Sequence, residues 1–396
     1  MLKPESWGLT FLLGALSAMT ALAVDMSLPA LPTIAAVYRA NPETVQLTLS
    51  LFLVGYAGGQ LFYGALSDRF GRRRMLLAGL AVYTCAGFAC AVSPGIAFLV
   101  TVRLVQGFGA CVGPILGRAV VRDHMTGARA AQTLSYITLV MGMAPLVAPI
   151  LGGYLLDRIG WQSIFIFLGS FGLILAIATW AGFAESLKDP DPQALRLSRL
   201  AGNARAFFSN RLCVGYALVN GFVFAGLFAF LSGSPFVLIE VYGVAARDFG
   251  YYFALSAVGL FVGSLANSRL VRYLGHELAM RWGFLVLNLA GAGLLALAWT
   301  RWGGALALMI PIMGYVVALG IILPNATAAA MEPLPRMAGM AASFLGAIQM
   351  GGGALSGYAV AALYAGTPMA MGGVIAAMAV GATLVYALLI RRPREA

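Results

Sequence analysis

Charge is scarce in this chain: only 10% of its 396 residues are Asp, Glu, Lys or Arg, against roughly 25% in an ordinary soluble domain. Lysine is almost absent. Lys3 and Lys188 are the only two, and neither follows a phosphate-binding glycine loop, which excludes an ATP-driven pump built from this chain alone. Histidine is limited to His124 and His276, which fall in short loops far apart in sequence. No His-Glu-x-x-His metal motif occurs, and no serine or cysteine nucleophile has a histidine base available within the membrane. A polytopic membrane enzyme is therefore a remote reading, and neither a metal nor another cofactor is expected. The four cysteines, Cys85, Cys90, Cys111 and Cys213, make no metal-type pair and read as packing thiols.

Apolar residues fill the space that charge leaves, at 61% of the chain. So little charge cannot cover a surface in water, and apolar stretches of about 20 residues, the length a helix needs to cross hydrocarbon, recur throughout. The fold class is all-α, a polytopic membrane protein. Helix-length apolar segments between charge clusters predict twelve transmembrane helices, with cores near 8–30, 44–65, 75–93, 96–117, 130–156, 161–183, 211–238, 248–268, 280–299, 303–325, 337–363 and 368–390. The first is not a signal peptide, because its apolar run continues into Asp25 and two prolines without a cleavage site. The longest polar segment divides the spans six and six, giving a six-helix bundle over 1–183, a linker over 184–210 and a second bundle over 211–396. Within the linker, Leu197, Leu200, Ala201, Ala204 and Phe208 recur at helical spacing between arginines. That pattern suits either an amphipathic helix on lipid headgroups or a solvated helix.

The cations test the span count. Twenty fall in alternate segments beginning with the N-terminus: Lys3, Arg69, Arg72, Arg73, Arg74, Arg118, Arg122, Arg129, Lys188, Arg196, Arg199, Arg205, Arg211, Arg269, Arg272, Arg281, Arg336, Arg391, Arg392 and Arg394. Four, Arg39, Arg158, Arg247 and Arg301, fall in the others. This bias predicts cytoplasmic N- and C-termini and accounts for the net charge of +11 without nucleic acid. The halves also repeat faintly. Gly71 matches Gly275, and Gly153-Tyr154 matches Gly357-Tyr358, at one common offset of 204. Duplicated halves place a substrate near mid-membrane at their interface.

Two charges lie deep within predicted spans. Asp25, in Val24-Asp25-Met26-Ser27-Leu28-Pro29, is the only carboxylate placed so deep. A charge at mid-depth costs about 2.5–3.5 kcal/mol even on lenient scales. Such a cost is tolerated where the acid meets water, a partner or a substrate. Arg103 lies in the fourth span with Gln106 one turn on, and is either functional or snorkels to the interface.

Five segments resemble one family. Gly64-Ala65-Leu66-Ser67-Asp68-Arg69-Phe70-Gly71-Arg72-Arg73-Arg74 is similar to the signature loop of the major facilitator superfamily. Arg103-Leu104-Val105-Gln106-Gly107 resembles that superfamily's span-four motif, tied to proton-coupled members. Ala144-Pro145-Leu146-Val147-Ala148-Pro149-Ile150-Leu151-Gly152-Gly153 resembles its antiporter motif, with Ser135, Ala144 and Ala148 where glycine is usual. Asp25-Met26-Ser27-Leu28-Pro29-Ala30-Leu31-Pro32 and Gln46-Leu47-Thr48-Leu49-Ser50-Leu51-Phe52 resemble the bicyclomycin and chloramphenicol resistance branch of drug/proton antiporters (the Bcr/CflA type). Some multidrug relatives carry a second acid where this chain has Ser17.

The resemblance implies the major facilitator fold, two pseudo-symmetric six-helix bundles working by alternating access in a bacterial inner membrane. It implies export of a small amphipathic drug-like molecule against inward protons. Asp25 and Arg103 are the expected proton-coupling pair. Asp25, Tyr56, Gln60, Asn220, Phe224, Phe228 and Tyr315 are the expected substrate contacts, although a stripe such as Asn220, Phe224 and Phe228 equally suits helix packing. Gating falls to Gly64, Asp68, Gly71, Arg72, Asp123, Pro149, Gly152 and Gly153, with Asp68, Arg72 and Asp123 either a latch or a static cluster. The proton gradient supplies the energy, lipid and protons are the other partners, and a monomer is expected. An uptake or exchange carrier for a small metabolite is the closest rival.

Overall fold

The computed structural model describes residues 6–334 and 338–390, nearly all of them helical. Lys3, Arg336, Arg391, Arg392 and Arg394 lie outside the described residues. The helices are α1 (Trp7–Asp25), α2 (Leu31–Tyr38), α3 (Pro42–Phe70), α4 (Arg72–Ala91), α5 (Ile96–Ala110), α6 (Val112–His124), α7 (Gly127–Arg158) and α8 (Gln162–Gly182). They continue as α9 (Leu197–Phe208), α10 (Arg211–Pro235), α11 (Phe249–Thr300), α12 (Gly304–Met331), α13 (Ala338–Ala362) and α14 (Met369–Val385).

Ten helical segments among the described residues are long and apolar enough to cross a membrane. One of them, α11, has 52 residues, twice a crossing, and breaks at Gly275. Glycine-rich α13, with 25 residues, supplies another crossing and completes the expected twelve. The break at Gly275 (φ 77°, ψ 164°) reproduces the turn at Gly71 (φ 96°, ψ 149°) between α3 and α4. Positive φ is costly for any residue with a Cβ, so both halves use glycine where one crossing reverses into the next. The repeat read from the offset of 204 is thus a repeat of backbone conformation.

The chain divides into two compact units, one of Met1–Ala40 with Leu47–Leu200, the other of Asn41–Gln46 with Ala201–Ala396. In the first, α1 packs on α6 and α7, and α4 packs on α5 and α8. In the second, α10 is central, against α12, α13 and α14, while α11 packs on α12 and α14.

The linker helix is anchored by a residue outside the stripe read from its sequence. Phe207 of α9 is fully buried against Cys213, Ala217, Ala330, Ala341 and Leu345, and its ring lies 5.3 Å from that of Phe344. Phe207 thus anchors the end of α9 in the second unit, while Ala201 and Phe208 of the stripe are exposed and the side chains of Leu197 and Leu200 lie outside the described ones. Burial of a side chain the size of Phe207's stabilises by about 1.5–3 kcal/mol.

Candidate functional site

Helix α1 stops at Asp25 because the residues after it cannot continue the ladder. Pro29 and Pro32 carry no N–H. The Ser27 N–H turns to the Val24 carbonyl at 3.2 Å, and the Ser27 hydroxyl donates to the same oxygen at 2.8 Å. A single tight turn over Leu28–Ala30 follows before α2 resumes the crossing. Asp25 sits at this break, 4% exposed, and among the described residues no hydrogen bond or ion pair engages its carboxylate. Burying a carboxyl group without a partner is expensive while it is charged.

Arg103 of α5 is 1% exposed, which rules out snorkelling to an interface. Its partners are neutral. Nε donates to the Thr48 carbonyl at 3.2 Å, and the two terminal nitrogens donate to Gln106 Oε1 at 2.8 Å and to the Ala23 carbonyl at 3.2 Å. The guanidinium also lies 4.4 Å from the ring centre of Phe52 and 5.7 Å from that of Phe165. The Ala23 carbonyl belongs to the last turn of α1, where the helix dipole favours a cation. Arg103 thus braces the broken helix two residues before Asp25. Among the described residues it forms no ion pair with that acid, so a direct Asp25–Arg103 couple is not what the structure contains.

The antiporter-like segment meets the same break. A Cβ on Gly152 of α7 would collide with the Met26 carbonyl, so only glycine lets the two backbones approach. Gly153 and Pro149 are buried alongside, and α7 remains one helix through both of its prolines rather than ending at either.

At the arginine-rich end of the first unit, Arg72 is 4% exposed and joins Asp68 Oδ1 at 2.5 Å and Asp123 Oδ2 at 3.1 Å. It also donates to the Ser67 hydroxyl at 2.5 Å. The three expected latch residues are therefore together. Two further residues were not foreseen. Glu185 accepts the backbone N–H groups of Arg72 at 2.8 Å and Arg73 at 3.1 Å, a carboxylate seated on the open N-terminus of α4. Ser186 donates to Asp123 Oδ2 at 3.0 Å, and the Asp191 N–H reaches the Asp68 carbonyl at 2.9 Å. The start of the linker is thereby tied to the turn. Glu185 was visible in the sequence as the first acid after the sixth span, without its partner. Glu185 also fills the space that a Cβ on Gly71 would need. Gly64 differs from expectation: no atom lies within 4 Å of where its Cβ would stand, so no close approach requires glycine there.

The expected substrate contacts divide. Tyr56 and Gln60 share one face of α3 in the first unit, and Gln60 Oε1 is buried without a hydrogen-bond partner. In the second unit Asn220 is fully buried and bonded at both ends, donating to Thr327 Oγ1 at 2.7 Å and accepting from Gln349 Nε2. The Phe228 ring packs where a Cβ on Gly353 would press, and the Tyr315 hydroxyl donates to the Val223 carbonyl at 3.1 Å. The polar atoms of Asn220 and Tyr315 thus already have protein partners, and Phe228 packs on a neighbouring helix. Phe224 stays partly exposed, its ring 5.0 Å from that of Phe228.

Comparison with known proteins agrees with this geometry. A family model described as Major Facilitator Superfamily matches residues 13–357. A bicyclomycin resistance protein homolog of Haemophilus influenzae is 34% identical over 96% of this chain and 95% of its own. Multidrug resistance protein D of Escherichia coli is 27% identical over 90% and 89%. A chloramphenicol resistance protein of Pseudomonas aeruginosa is 30% identical over 72% and 67%. Among solved structures, the xylose transporter XylE of E. coli in a partially occluded inward open conformation aligns with a TM-score of 0.74. It covers 98% of this chain and 99% of that one at 15% identity, a likeness of fold alone.

Proposed function

The chain belongs to the major facilitator superfamily, and from that premise we propose that it exports small drug-like molecules in exchange for inward protons, by alternating access. The observation that carries this reading is Asp25, a buried carboxyl group without a protein partner at the break in α1. Its neutral form suits a closed site, and its ionised form calls for water or a cationic partner. Arg103 acts on Asp25 through the α1 backbone: it holds the Ala23 carbonyl, so a change in the break moves both groups. A membrane potential of 100 mV adds about 2.3 kcal/mol per charge moved.

In this reading the arginine-rich ends face the cytoplasm of a bacterium, the protein works as a monomer, and the Asp68–Arg72–Asp123 cluster holds one face shut. The relatives' names extend the proposal to bicyclomycin- and chloramphenicol-type compounds. Efflux of labelled chloramphenicol from energised cells, with and without a protonophore, tests it. Export should stop with the protonophore and in Asp25→Asn, at unchanged membrane level. Normal uphill pumping by Asp25→Asn would reject the coupling role.

A further inference from the structure

Asn220 is the tenth of the 25 residues of α10, and Gln349 the twelfth of the 25 of α13, about 14 Å and 16 Å along their helices. Both therefore lie deep in their crossings, and with Thr327 of α12 they belong to the second unit. The Asn220 amide joins the other two. Its Nδ2 donates to Thr327 Oγ1 at 2.7 Å, and its Oδ1 accepts from Gln349 Nε2. Asn220 is fully buried and committed at both ends.

Its two partners are not. Thr327 spends an oxygen lone pair on Asn220, and among the described residues its hydroxyl hydrogen meets no acceptor. Gln349 spends an amide hydrogen, and among the described residues its Oε1 meets no donor. Both side chains belong to partly exposed residues. An open donor and an open acceptor are costly against lipid tails, so at this depth they face water or a bound molecule. Because each holds one end of the same planar amide, the two open groups sit on one patch where α12 and α13 meet α10. Phe224, one turn along α10 on the face of Asn220, is also partly exposed and adds a flat apolar surface.

We infer that Thr327 and Gln349, held in place by Asn220, form a hydrogen-bonding subsite for an uncharged hydroxyl or amide group, which can accept from one and donate to the other. That this group belongs to a transported molecule rests on the exporter reading, while the donor–acceptor pair rests on the hydrogen bonds themselves. The test is direct binding to the purified full-length protein of chloramphenicol, which has hydroxyls and an amide, and of tetraphenylphosphonium, which has neither donor nor acceptor. Thr327→Val should raise the chloramphenicol Kd about fivefold and leave that of tetraphenylphosphonium within twofold, and Thr327→Ser should restore wild-type binding. A chloramphenicol rise below threefold, an equal rise for both ligands, no rescue by serine, or wild-type protein that does not bind chloramphenicol overturns the subsite. Should Thr327→Val not fold, Gln349→Leu decides by the same selective rise, and failure of both variants to fold makes the network a structural brace and overturns it too. Selective binding through Thr327 without export from energised cells would remove the exporter reading and leave the subsite standing.

Discussion

The turn at Gly71 and the turn at Gly275 share a backbone but not a chemistry. Around Gly71, a buried arginine holds two aspartates while Glu185 caps the following helix. Around Gly275, the residue 204 positions after Asp68 is Arg272 and the one after Arg72 is His276. The ion pair nearest that turn is Arg281 with Glu277 at 2.6 Å, both well exposed. The residue 204 positions after Asp123 is Thr327, which bonds Asn220 instead. Both turns carry glycine at positive φ, whereas among the described residues only the turn at Gly71 gathers a buried arginine with its acids.

The largest expected contrast between the turns is Arg72→Ala against Arg272→Ala. Removing one partner of a buried pair strands the others, and with Asp68 45% exposed the cost falls near the lower end of the usual range, about 3 kcal/mol. Arg272→Ala should fall within about 0.5 kcal/mol of wild type. Thermal unfolding of the two purified variants compares them, and equal midpoints would erase the distinction between the halves.

Next comes glycine. Gly71→Ala and Gly275→Ala should each cost about 1–3 kcal/mol for positive φ. Gly71→Ala should be the more costly because its methyl group meets Glu185, whereas nothing lies within 4 Å at Gly275. A reversed order in the same melting assay would contradict the role given to Glu185. Glu185→Gln should itself cost about 1 kcal/mol, from the lost charge at the N-terminus of α4, and less in high salt. Arg281→Ala should leave the unfolding midpoint close to that of wild type, as the loss of an exposed pair does. In transport, Asp68→Asn should lower turnover more than it weakens ligand binding; an unaltered exchange rate would leave the cluster as a static brace.

Legibility from sequence followed the range of each interaction. The twelve crossings, the turn glycines and the Asp68–Arg72–Asp123 group were readable, because apolar length, glycine and clustered charge announce themselves locally. The part played by Asn220, Phe224 and Phe228 was not legible, because an isolated stripe does not reveal which neighbour it meets; Asn220 turned out to bond Thr327 and Gln349. Glu185 was passed over for a related reason: it looked like an ordinary loop charge until the linker was set beside the start of α4.

The amino-acid order alone determined the solvent and the number of crossings, since the cost of charge in hydrocarbon acts residue by residue. It also placed one acid deep in the first crossing. Only the packed molecule decided that Arg103 braces a carbonyl rather than pairing with Asp25, and that Glu185 caps the helix after Gly71. Those outcomes depend on which helices touch and at what height, and side chains a hundred residues apart settle that only by packing together.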